Sequence, residues 1–518
     1  MTRAITLKNT LNEALTASRQ TGRMSAAYQS GLRLSSQGRH VEAIAQYEQA
    51  LTAKPDDTKV LFALGNTAQA LGLGDAAQAF YRQVLALEPA RLEALINLAN
   101  LLRSSGQFDL AIALLEPALV RNPQSPELHL TLGSARREKG EDEEAIFHYR
   151  AALAANPNYA PALANLADML CDAGDREQAR TLYDAAIRCE PKNPQARLNR
   201  AILHLLNGDL KEGWRDYAAR IDIPGKVPVL SGEQRLVPWT GGSLKRQRLL
   251  VRAEQGVGDQ ILFASLIPDL ANRAKAEGGS VVLECEPRLV PLLARSFPEI
   301  TVKPSVIREL GGTPMADYGW LKSAGGANVV TLMGSLPRYL RGSLDAFPSD
   351  HAFLTPDPSE TAQWQSQFGE KAIGLCWRSG KSGGHRAIQY APLAAWADFI
   401  RDMDRTFVCV QYDATAQEVA ELESLSGRKI VVPQGIDQKN ELDRAASLMA
   451  ALASIVTAPT AVSWLSAGVG TPTFKILYDT SWTALGQSYE PFAPSCECIM
   501  PAARGDWSDV FHRVKAKL

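Results

Sequence analysis

Residues 58–89 read TKVLFALGNTAQALGLGDAAQAFYRQVLALEP, and the pattern of this stretch recurs along the first part of the chain. Gly65, Ala77, Tyr81 and Pro89 each return at intervals of 34 residues. The positions in phase with them are Gly31, Gly65, Ala99, Gly133 and Ala167; Ala43, Ala77, Ala111, Ala145 and Ala179; Tyr47, Tyr81, Leu115, Tyr149 and Tyr183; and Pro55, Pro89, Pro123, Pro157 and Pro191. A small residue lets two helices cross closely, an aromatic or leucine side chain fills the space beside it, and a proline ends the second helix. The repeat therefore predicts a stack of helical hairpins.

This spacing is that of the tetratricopeptide repeat, with about five and a half copies from residue 24 onward. A sixth, shortened copy containing Ala201, Gly213 and Tyr217 is expected to cap the array. Such hairpins stack into a right-handed superhelix whose groove binds another protein or peptide.

Asparagines recur at the position of the first helix that we expect to face the groove. This position carries Gln29, Ala63, Asn97, Thr131, Asn165 and Asn199. A side-chain amide both donates to a C=O and accepts from an N–H, so Asn97, Asn165 and Asn199 are candidates to hold the backbone of an acceptor protein. The alternative is helix packing, because asparagine is common at this position of the repeat.

Composition narrows the class of function. The chain has 518 residues and a formal net charge of −1, which argues against nucleic-acid binding by bulk electrostatics. Its seven scattered cysteines suit a reducing compartment. The most apolar stretch, 445–456, is shorter than the roughly 20 residues that span a bilayer. We therefore expect a cytoplasmic protein without a transmembrane segment.

The second half of the chain has a different pattern, which begins after a loop-rich joint. Short apolar runs alternate with helical stretches in two blocks, about 238–345 and 370–480. Strands are predicted at 248–253, 280–285, 372–377, 406–411, 429–432, 454–457 and 473–477, and the first helix is predicted to run through Leu270. Continuous apolar strands alternating with helices indicate parallel sheets covered on both faces. The predicted domains are an all-α array at 1–222, a linker at 223–240, and two Rossmann-like domains at 241–350 and 351–518 that face a cleft.

The turn Gly256-Val257-Gly258-Asp259 follows the first of these strands. Asp259 would lie at the start of a helix at the cleft, where a carboxylate could take a proton from an acceptor hydroxyl. An equally open alternative is that Asp259 only stabilises the positive end of the helix dipole.

Two further segments are candidates for a phosphate-binding site. The loop from Trp377 to His385 and Arg386 contains Arg378, Ser379 and Lys381, a set that suits a phosphate or pyrophosphate, although a solvated basic loop is the alternative. Thr460 and Ser463 begin a helix after a strand and could bind a donor phosphate, or they could form an ordinary N-cap.

The second half resembles the C-terminal domain of bacterial tetratricopeptide proteins related to the heptosyltransferases, that is, glycosyltransferase family 9. The matching segments are Ala253–Phe263, Ser280–Pro287, Trp377–Arg386, Val410–Tyr412, Thr460–Pro472 and Gly505–Trp507. The resemblance implies a GT-B fold of two Rossmann-like domains, a reaction without metal or cofactor, and a nucleotide-sugar co-substrate. By resemblance, Asp259 is the base, and Arg378, Ser379, Lys381, Arg386, Gln411, Thr460 and Ser463 contact the donor.

The chain departs from the heptosyltransferase pattern at the donor motif. That pattern has Asp-Thr-x-x-x-His where this chain has Pro459, Thr460 and Trp464, so the donor differs from ADP-heptose or this half has degenerated. The architecture is also similar to tetratricopeptide flagellin glycosyltransferases, which use a CMP-activated nonulosonic acid. We expect a protein glycosyltransferase acting on Ser/Thr hydroxyls, with flagellin as a candidate acceptor. The alternatives are a glycan or lipopolysaccharide transferase and an inactive protein-binding scaffold.

Overall fold

The computed structural model describes residues 26–223, 229–231, 236–310, 313–349, 352–380 and 389–518. The chain separates into two compact units, Met1–Pro191 and Lys192–Leu518. The boundary falls before the last predicted helical hairpin. That hairpin therefore packs as part of the second unit, although the sequence pattern extends the array to residue 222.

The first unit consists of consecutive helical hairpins in the part of the chain that the structure describes. Its helices are α1 (Ala26–Ser36), α2 (His40–Ala53), α3 (Thr58–Ala70), α4 (Gly74–Leu87), α5 (Leu92–Ser104), α6 (Phe108–Arg121), α7 (Pro126–Lys139), α8 (Asp142–Ala155), α9 (Ala160–Asp172) and α10 (Arg176–Cys189). A glycine in the left-handed region ends the first helix of each hairpin, since φ lies between 72° and 90° at Gly38, Gly72, Gly106, Gly140 and Gly174. These glycines also recur every 34 residues, so they are a further sign of the repeat besides the four positions named above.

The predicted contact between a small residue and an aromatic ring is present in these hairpins. A Cβ added to Gly65 would lie 2.6 Å from Cε1 of Tyr81, and one added to Gly133 would lie 2.8 Å from Cε1 of Tyr149. Both tyrosines are fully buried. The glycines are therefore required by the close approach of the two helices, as the repeat pattern predicted.

Two buried histidines replace ordinary apolar packing between α7 and α8. Nδ1 of His129 lies 3.1 Å from Nδ1 of His148, and Nε2 of His129 lies 3.2 Å from the carbonyl oxygen of Pro123. That carbonyl can only accept, so Nε2 of His129 carries a proton. Burial, together with His129 and Arg136, lowers the pKa of His148 to about 4.

Acidification is expected to destabilise the helical array through His148. An ordinary histidine has a pKa of about 6.5, so between this pH and the lowered pKa of His148 the unfolded chain binds a proton that the folded chain does not. The free energy of unfolding therefore falls by up to about 3 kcal/mol as the pH drops across this window. Denaturant unfolding followed by circular dichroism at pH 7, 6, 5 and 4.5 measures this loss. In His148→Gln the free energy of unfolding should depend less on pH. An equal slope against pH in the wild-type and variant proteins would contradict the role given to His148.

The second unit begins with the hairpin α11 (Pro194–Leu206) and α12 (Leu210–Tyr217), followed by a 3-10 turn at Ala218–Asp222. Its strands are β1 (Val229–Ser231), β2 (Val237–Pro238), β3 (Arg248–Arg252), β4 (Ser280–Cys285), β5 (Thr301–Pro304), β6 (Ile307–Leu310), β7 (Thr313–Asp317), β8 (Val329–Leu332), β9 (Ile373–Cys376), β10 (Phe407–Cys409), β11 (Ile430–Val431), β12 (Ser454–Thr457), β13 (Thr473–Ile476) and β14 (Cys496–Ile499). Its remaining helices are α13 (Val257–Ala264), α14 (Ile267–Ala276), α15 (Val290–Ser296), α16 (Pro337–Leu340), α17 (Pro358–Phe368), α18 (Leu393–Ile400), α19 (Ala416–Ser426), α20 (Leu442–Ala450), α21 (Ala461–Gly468) and α22 (Trp507–Lys515).

These strands form two parallel sheets and a small third sheet. The first has the order β2-β8-β3-β4-β5 and the second β11-β10-β9-β12-β13-β14, and every neighbouring pair in both is parallel. The third has the order β1-β7-β6. The α/β architecture predicted for the second half is confirmed.

The prediction of one continuous helix through Leu270 was wrong. The chain breaks after Ala264, and α14 restarts at Ile267 with Pro268 in its first turn. Proline has no N–H to continue the preceding helix, whereas it is tolerated at the start of a new one. The sequence patterns also did not predict the short strands β1, β2, β5, β6, β7, β8 and β14, which have two to five residues each.

Among the described residues, no helix combines the length and the apolar character needed to cross a bilayer.

Candidate functional site

The carboxyl ends of the two parallel sheets supply the candidate site. In the second sheet the strand order reverses between β9 and β12, and in the first sheet it reverses between β3 and β8. Doubly wound sheets bind ligands outside the carboxyl ends of the strands at such reversal points. The predicted base follows β3, and most of the predicted donor residues follow β9 and β12.

Asp259 is the third residue of α13, and its side chain is half-buried. Its Oδ2 accepts a hydrogen bond from the N–H of Gly256 at 3.2 Å. Burial raises the pKa of Asp259, the Gly256 N–H opposes this, and the nearby charge of Glu254 raises it further. The Gly256 bond is a helix-start interaction, as the alternative requires, and the raised pKa is what a general base near neutral pH requires.

The two reversal points meet through α13 and α21. A Cβ added to Gly258 would lie 3.5 Å from Cα of Ala461 and 3.5 Å from Cδ1 of Trp464. Gly258 immediately precedes Asp259, and Ala461 is the first residue of α21. The start of the helix that carries the predicted base therefore packs directly against the start of the helix that carries the predicted phosphate site.

Thr460 and Ser463 lie where the sequence predicted, at the start of α21, but their hydroxyl groups bond within the helix end. Thr460 caps α21 by accepting from the N–H of Val462 at 3.2 Å. Ser463 is fully buried and donates to the carbonyl oxygen of Thr460 at 2.7 Å. The N-cap alternative describes both side chains, and the N–H groups of Val462 and Ser463 already bond to Thr460.

Arg378 follows β9, and its charge is balanced by two carboxylates. Its Nε and Nη2 donate to Glu418 at 2.5 and 2.8 Å, and its Nη1 donates to Asp413 at 3.1 Å. The hydrogen bond from Arg378 is the main reason that the pKa of Glu418 falls to about 2. In this arrangement Arg378 stabilises the loop, and a phosphate would have to compete with both carboxylates for it.

The buried side chain of Gln411 hydrogen-bonds to both the loop after β9 and the loop after β10. Its Oε1 accepts from the N–H of Arg378 at 3.0 Å, and its Nε2 donates to Asp413 at 2.6 Å. Ser379 follows Arg378 in the same loop. Lys381 and Arg386, the other cations predicted to bind phosphate, lie outside the described residues.

The groove asparagines are only partly exposed and already make side-chain contacts. Nδ2 of Asn97 donates to Oδ1 of Asn66 at 3.1 Å and to the Tyr81 hydroxyl at 3.3 Å. Nδ2 of Asn165 lies 3.3 Å from the Ser134 hydroxyl. Of the same predicted series, Ala63 and Thr131 are buried. The series thus includes packing positions, as the alternative proposed, and contact of Asn97 and Asn165 with an acceptor stays a prediction.

Asn199, the third predicted acceptor contact, lies on α11 in the second unit. Its Oδ1 accepts from Nε2 of Gln195 at 2.7 Å. Its role as an acceptor contact also stays a prediction.

Sequence reasoning missed two buried ion pairs of the second unit. Arg220 pairs with Glu254 beside the Asp259 loop, and Lys475 of β13 pairs with Glu490. Charges inside a strand or loop that otherwise looks apolar were the available signal, as in the run Thr473-Phe474-Lys475-Ile476.

Comparisons with known proteins bear on the helical part of the chain. A family model described as tetratricopeptide repeat matches residues 28–91 and 96–160, and a second such model matches residues 136–203. The predicted tetratricopeptide repeats are therefore confirmed.

Protein FlbA of Caulobacter vibrioides is 33% identical to this chain over 315 residues, which are 59% of this chain and 52% of FlbA. The chain thus spans about half the length of this curated relative. Among solved structures, a thermophilic TPR protein of Thermus thermophilus matches at 26% identity and a TM-score of 0.31, covering 35% of this chain and 97% of that one. PilF of Pseudomonas aeruginosa matches at 21% identity and a TM-score of 0.33, covering 42% of this chain and 94% of that one.

Proposed function

We propose that this chain is a metal-independent protein glycosyltransferase of the GT-B type. The observation that carries the proposal is the meeting of two reversal points at Gly258, next to Asp259, where α13 of the first sheet packs on α21 of the second. A two-sheet site of this kind suits a reaction that joins two substrates, with one bound at each sheet. The sequence resemblance to glycosyltransferase family 9 supports the same interpretation.

In the proposed reaction, Asp259 takes the proton from a Ser or Thr hydroxyl of the acceptor. The hydroxyl oxygen forms a bond to the anomeric carbon of the donor sugar while the bond from that carbon to the phosphate oxygen breaks. The nucleotide leaves with the bonding electron pair, and its new negative charge is stabilised by the positive end of the α21 dipole. We propose that Lys381 and Arg386, the other two cations predicted to bind the donor, contact the same phosphate.

The tetratricopeptide repeats indicate binding of a protein partner, so we propose that this partner is also the acceptor. Flagellin is the acceptor that the sequence resemblance favours, with a CMP-activated nonulosonic acid as the donor. A transferase that recognises its acceptor through a separate array can act on exposed Ser and Thr residues without a deep acceptor pocket.

Two observations favour the alternative of an inactive scaffold. Arg378 is neutralised by Asp413 and Glu418, and Pro459 and Trp464 replace the Asp and His of the heptosyltransferase donor motif. Isothermal calorimetry of the full chain with UDP, CMP, GDP and ADP separates the two functions. Binding of one nucleotide is expected for a transferase, and binding of none would favour the scaffold.

A further inference from the structure

The last helical hairpin, α11–α12 with the 3-10 turn at Ala218–Asp222, packs deeply within the second unit. Trp214 and Tyr217 of α12 form aromatic contacts with Trp482, at ring-centroid distances of 6.5 and 5.6 Å. Nε1 of Trp214 donates to the carbonyl oxygen of Arg341 at 3.0 Å. A hairpin that only capped an array would turn a polar face to solvent, whereas this one buries its aromatic residues among α/β elements.

A buried ion pair connects the hairpin to the loop that leads to Asp259. Arg220 donates from Nε to Oε2 of Glu254 at 3.0 Å and from Nη2 to Oε1 at 2.5 Å. The Glu254 and Arg220 side chains are 1% and 5% exposed, so the pair is almost fully desolvated. Oε1 of Glu254 also accepts from the N–H of Gly334 at 2.9 Å, and Arg220 reaches the Ser335 hydroxyl at 2.8 Å. Arg220 thus joins the ends of the loops after β3 and β8, which are the two strands of the reversal point.

The next loop residue is also held by the hairpin. Gln255 adopts φ = 62°, which is unusual for a residue with a side chain and persists only where the surroundings fix it. The Tyr217 hydroxyl lies 3.0 Å from Nε2 and 3.3 Å from Oε1 of Gln255. This contact stabilises the sharp turn that aims the chain into α13, four residues before Asp259.

The same contacts set the charge around Asp259. Glu254 lies on the same loop as Asp259, and its charge raises the pKa of Asp259. Arg220 balances the charge of Glu254. From the hairpin, Tyr217 also faces this region, since its own pKa is raised by burial and, in part, by Asp259 and Glu254. From α21, the residues packed at Gly258 are Ala461 and Trp464, which carry no charge.

We propose that the last hairpin is a positioning element for the transfer reaction, with Arg220 and Tyr217 holding Glu254 and Gln255 so that Asp259 is presented at the cleft. The role of Asp259 in this inference rests on the proposed function. Whether Arg220 and Tyr217 restrict the motion of the loop does not depend on the proposed function and can be tested without any substrate.

Hydrogen exchange of the full-length protein, read by mass spectrometry on peptides covering 253–263, tests the hold directly. Tyr217→Phe removes only the hydroxyl, and Glu254→Gln removes the charge that Arg220 binds. Both should accelerate exchange in this segment several-fold. The matched control is Asp216→Asn, which breaks the buried ion pair with Arg200 on the same hairpin without touching the loop. It should leave exchange at 253–263 unchanged.

Steady-state kinetics of sugar transfer test the consequence for Asp259. Tyr217→Phe should lower kcat about tenfold with little change in KM, because orientation and not binding is lost. Glu254→Gln should move the acidic limb of the kcat–pH profile to lower pH, because it removes a negative charge near Asp259. Asp216→Asn should change neither kcat nor the position of the acidic limb.

Unchanged exchange at 253–263 in folded Tyr217→Phe and Glu254→Gln proteins would overturn the inference, as would equal changes in Asp216→Asn. If the wild-type chain transferred no sugar, the proposed function would fail, while the exchange data would still decide whether the hairpin holds the loop.

Discussion

Replacing Asp259 with asparagine is expected to lower the turnover of sugar transfer by roughly 10²- to 10⁴-fold, the usual contribution of a general base. Asparagine has nearly the same shape and keeps an oxygen that can accept the N–H of Gly256, so α13 should still begin at the same place. The amide cannot take the proton of an acceptor hydroxyl. Initial rates at saturating donor and acceptor measure the loss.

The matched control is Asp509→Asn. Asp509 is the third residue of α22, as Asp259 is the third residue of α13, and it accepts from the N–H of Ala502 at 3.1 Å. Asp509→Asn should leave turnover unchanged, because Asp509 bonds to Ala502 and Arg513 and to none of the partners of Asp259. Full turnover in Asp259→Asn would contradict the base assignment.

The pH dependence of the wild-type enzyme follows from the same carboxylate. A base must be deprotonated, so kcat should fall as the pH drops through the pKa of Asp259, which burial and Glu254 hold above its usual range. The acidic limb of the profile should therefore lie above the ordinary aspartate pKa of about 3.9.

Lys475→Met is expected to lower the free energy of unfolding of the second unit by about 3–5 kcal/mol. Lys475 and Glu490 form an ion pair in which both side chains are essentially inaccessible to solvent. Glu490 also accepts from Thr483 at 2.9 Å, and the Lys475 ammonium lies 4.7 Å from the ring centroid of Trp464. Removing the cation leaves a buried carboxylate without its counter-charge, and this is far more costly than losing a surface pair.

Two comparisons test this explanation by denaturant unfolding. Lys475→Met/Glu490→Leu removes both charges and should recover more than half of the loss, because apolar replacement of a whole buried pair is often close to neutral. Lys517→Met breaks the exposed pair with Glu497 and should cost less than about 1 kcal/mol. A loss below about 1 kcal/mol in Lys475→Met would show that the buried pair contributes little.

The sequence predicted the parts of the fold that rest on local periodicity. The 34-residue repeat predicted the hairpins because Gly65 and Tyr81 must meet wherever the two helices cross. Short, largely apolar runs predicted β3 and β4 because strands buried on both faces carry few polar residues. Strands β5 (TVKP) and β14 (CECI) mix charged with apolar residues and gave no comparable run. Strand β8 (VVTL) is as apolar as the predicted β12 (SIVT) and was overlooked.

The details of the site depended on contacts distant in sequence. Nothing near Arg378 in the sequence shows that Asp413 and Glu418 neutralise it, because those residues arrive from the next loop and helix. Similarly, Tyr217 reads as the aromatic residue of a final repeat, and only the fold brings its hydroxyl to Gln255. Periodic patterns predict the elements of a fold, whereas charge balance at a site depends on which loops meet.

The central claim, sugar transfer to a protein through Asp259, is tested most directly by the intact mass of an acceptor. Flagellin would be incubated with the full chain and with CMP-nonulosonic acid or UDP-, GDP- or ADP-sugars, using wild-type and Asp259→Asn proteins in parallel. We predict a gain equal to one or more sugar residues with one donor and the wild-type chain, and no gain with Asp259→Asn. An unchanged flagellin mass with every donor, or an equal gain with both proteins, would contradict the account.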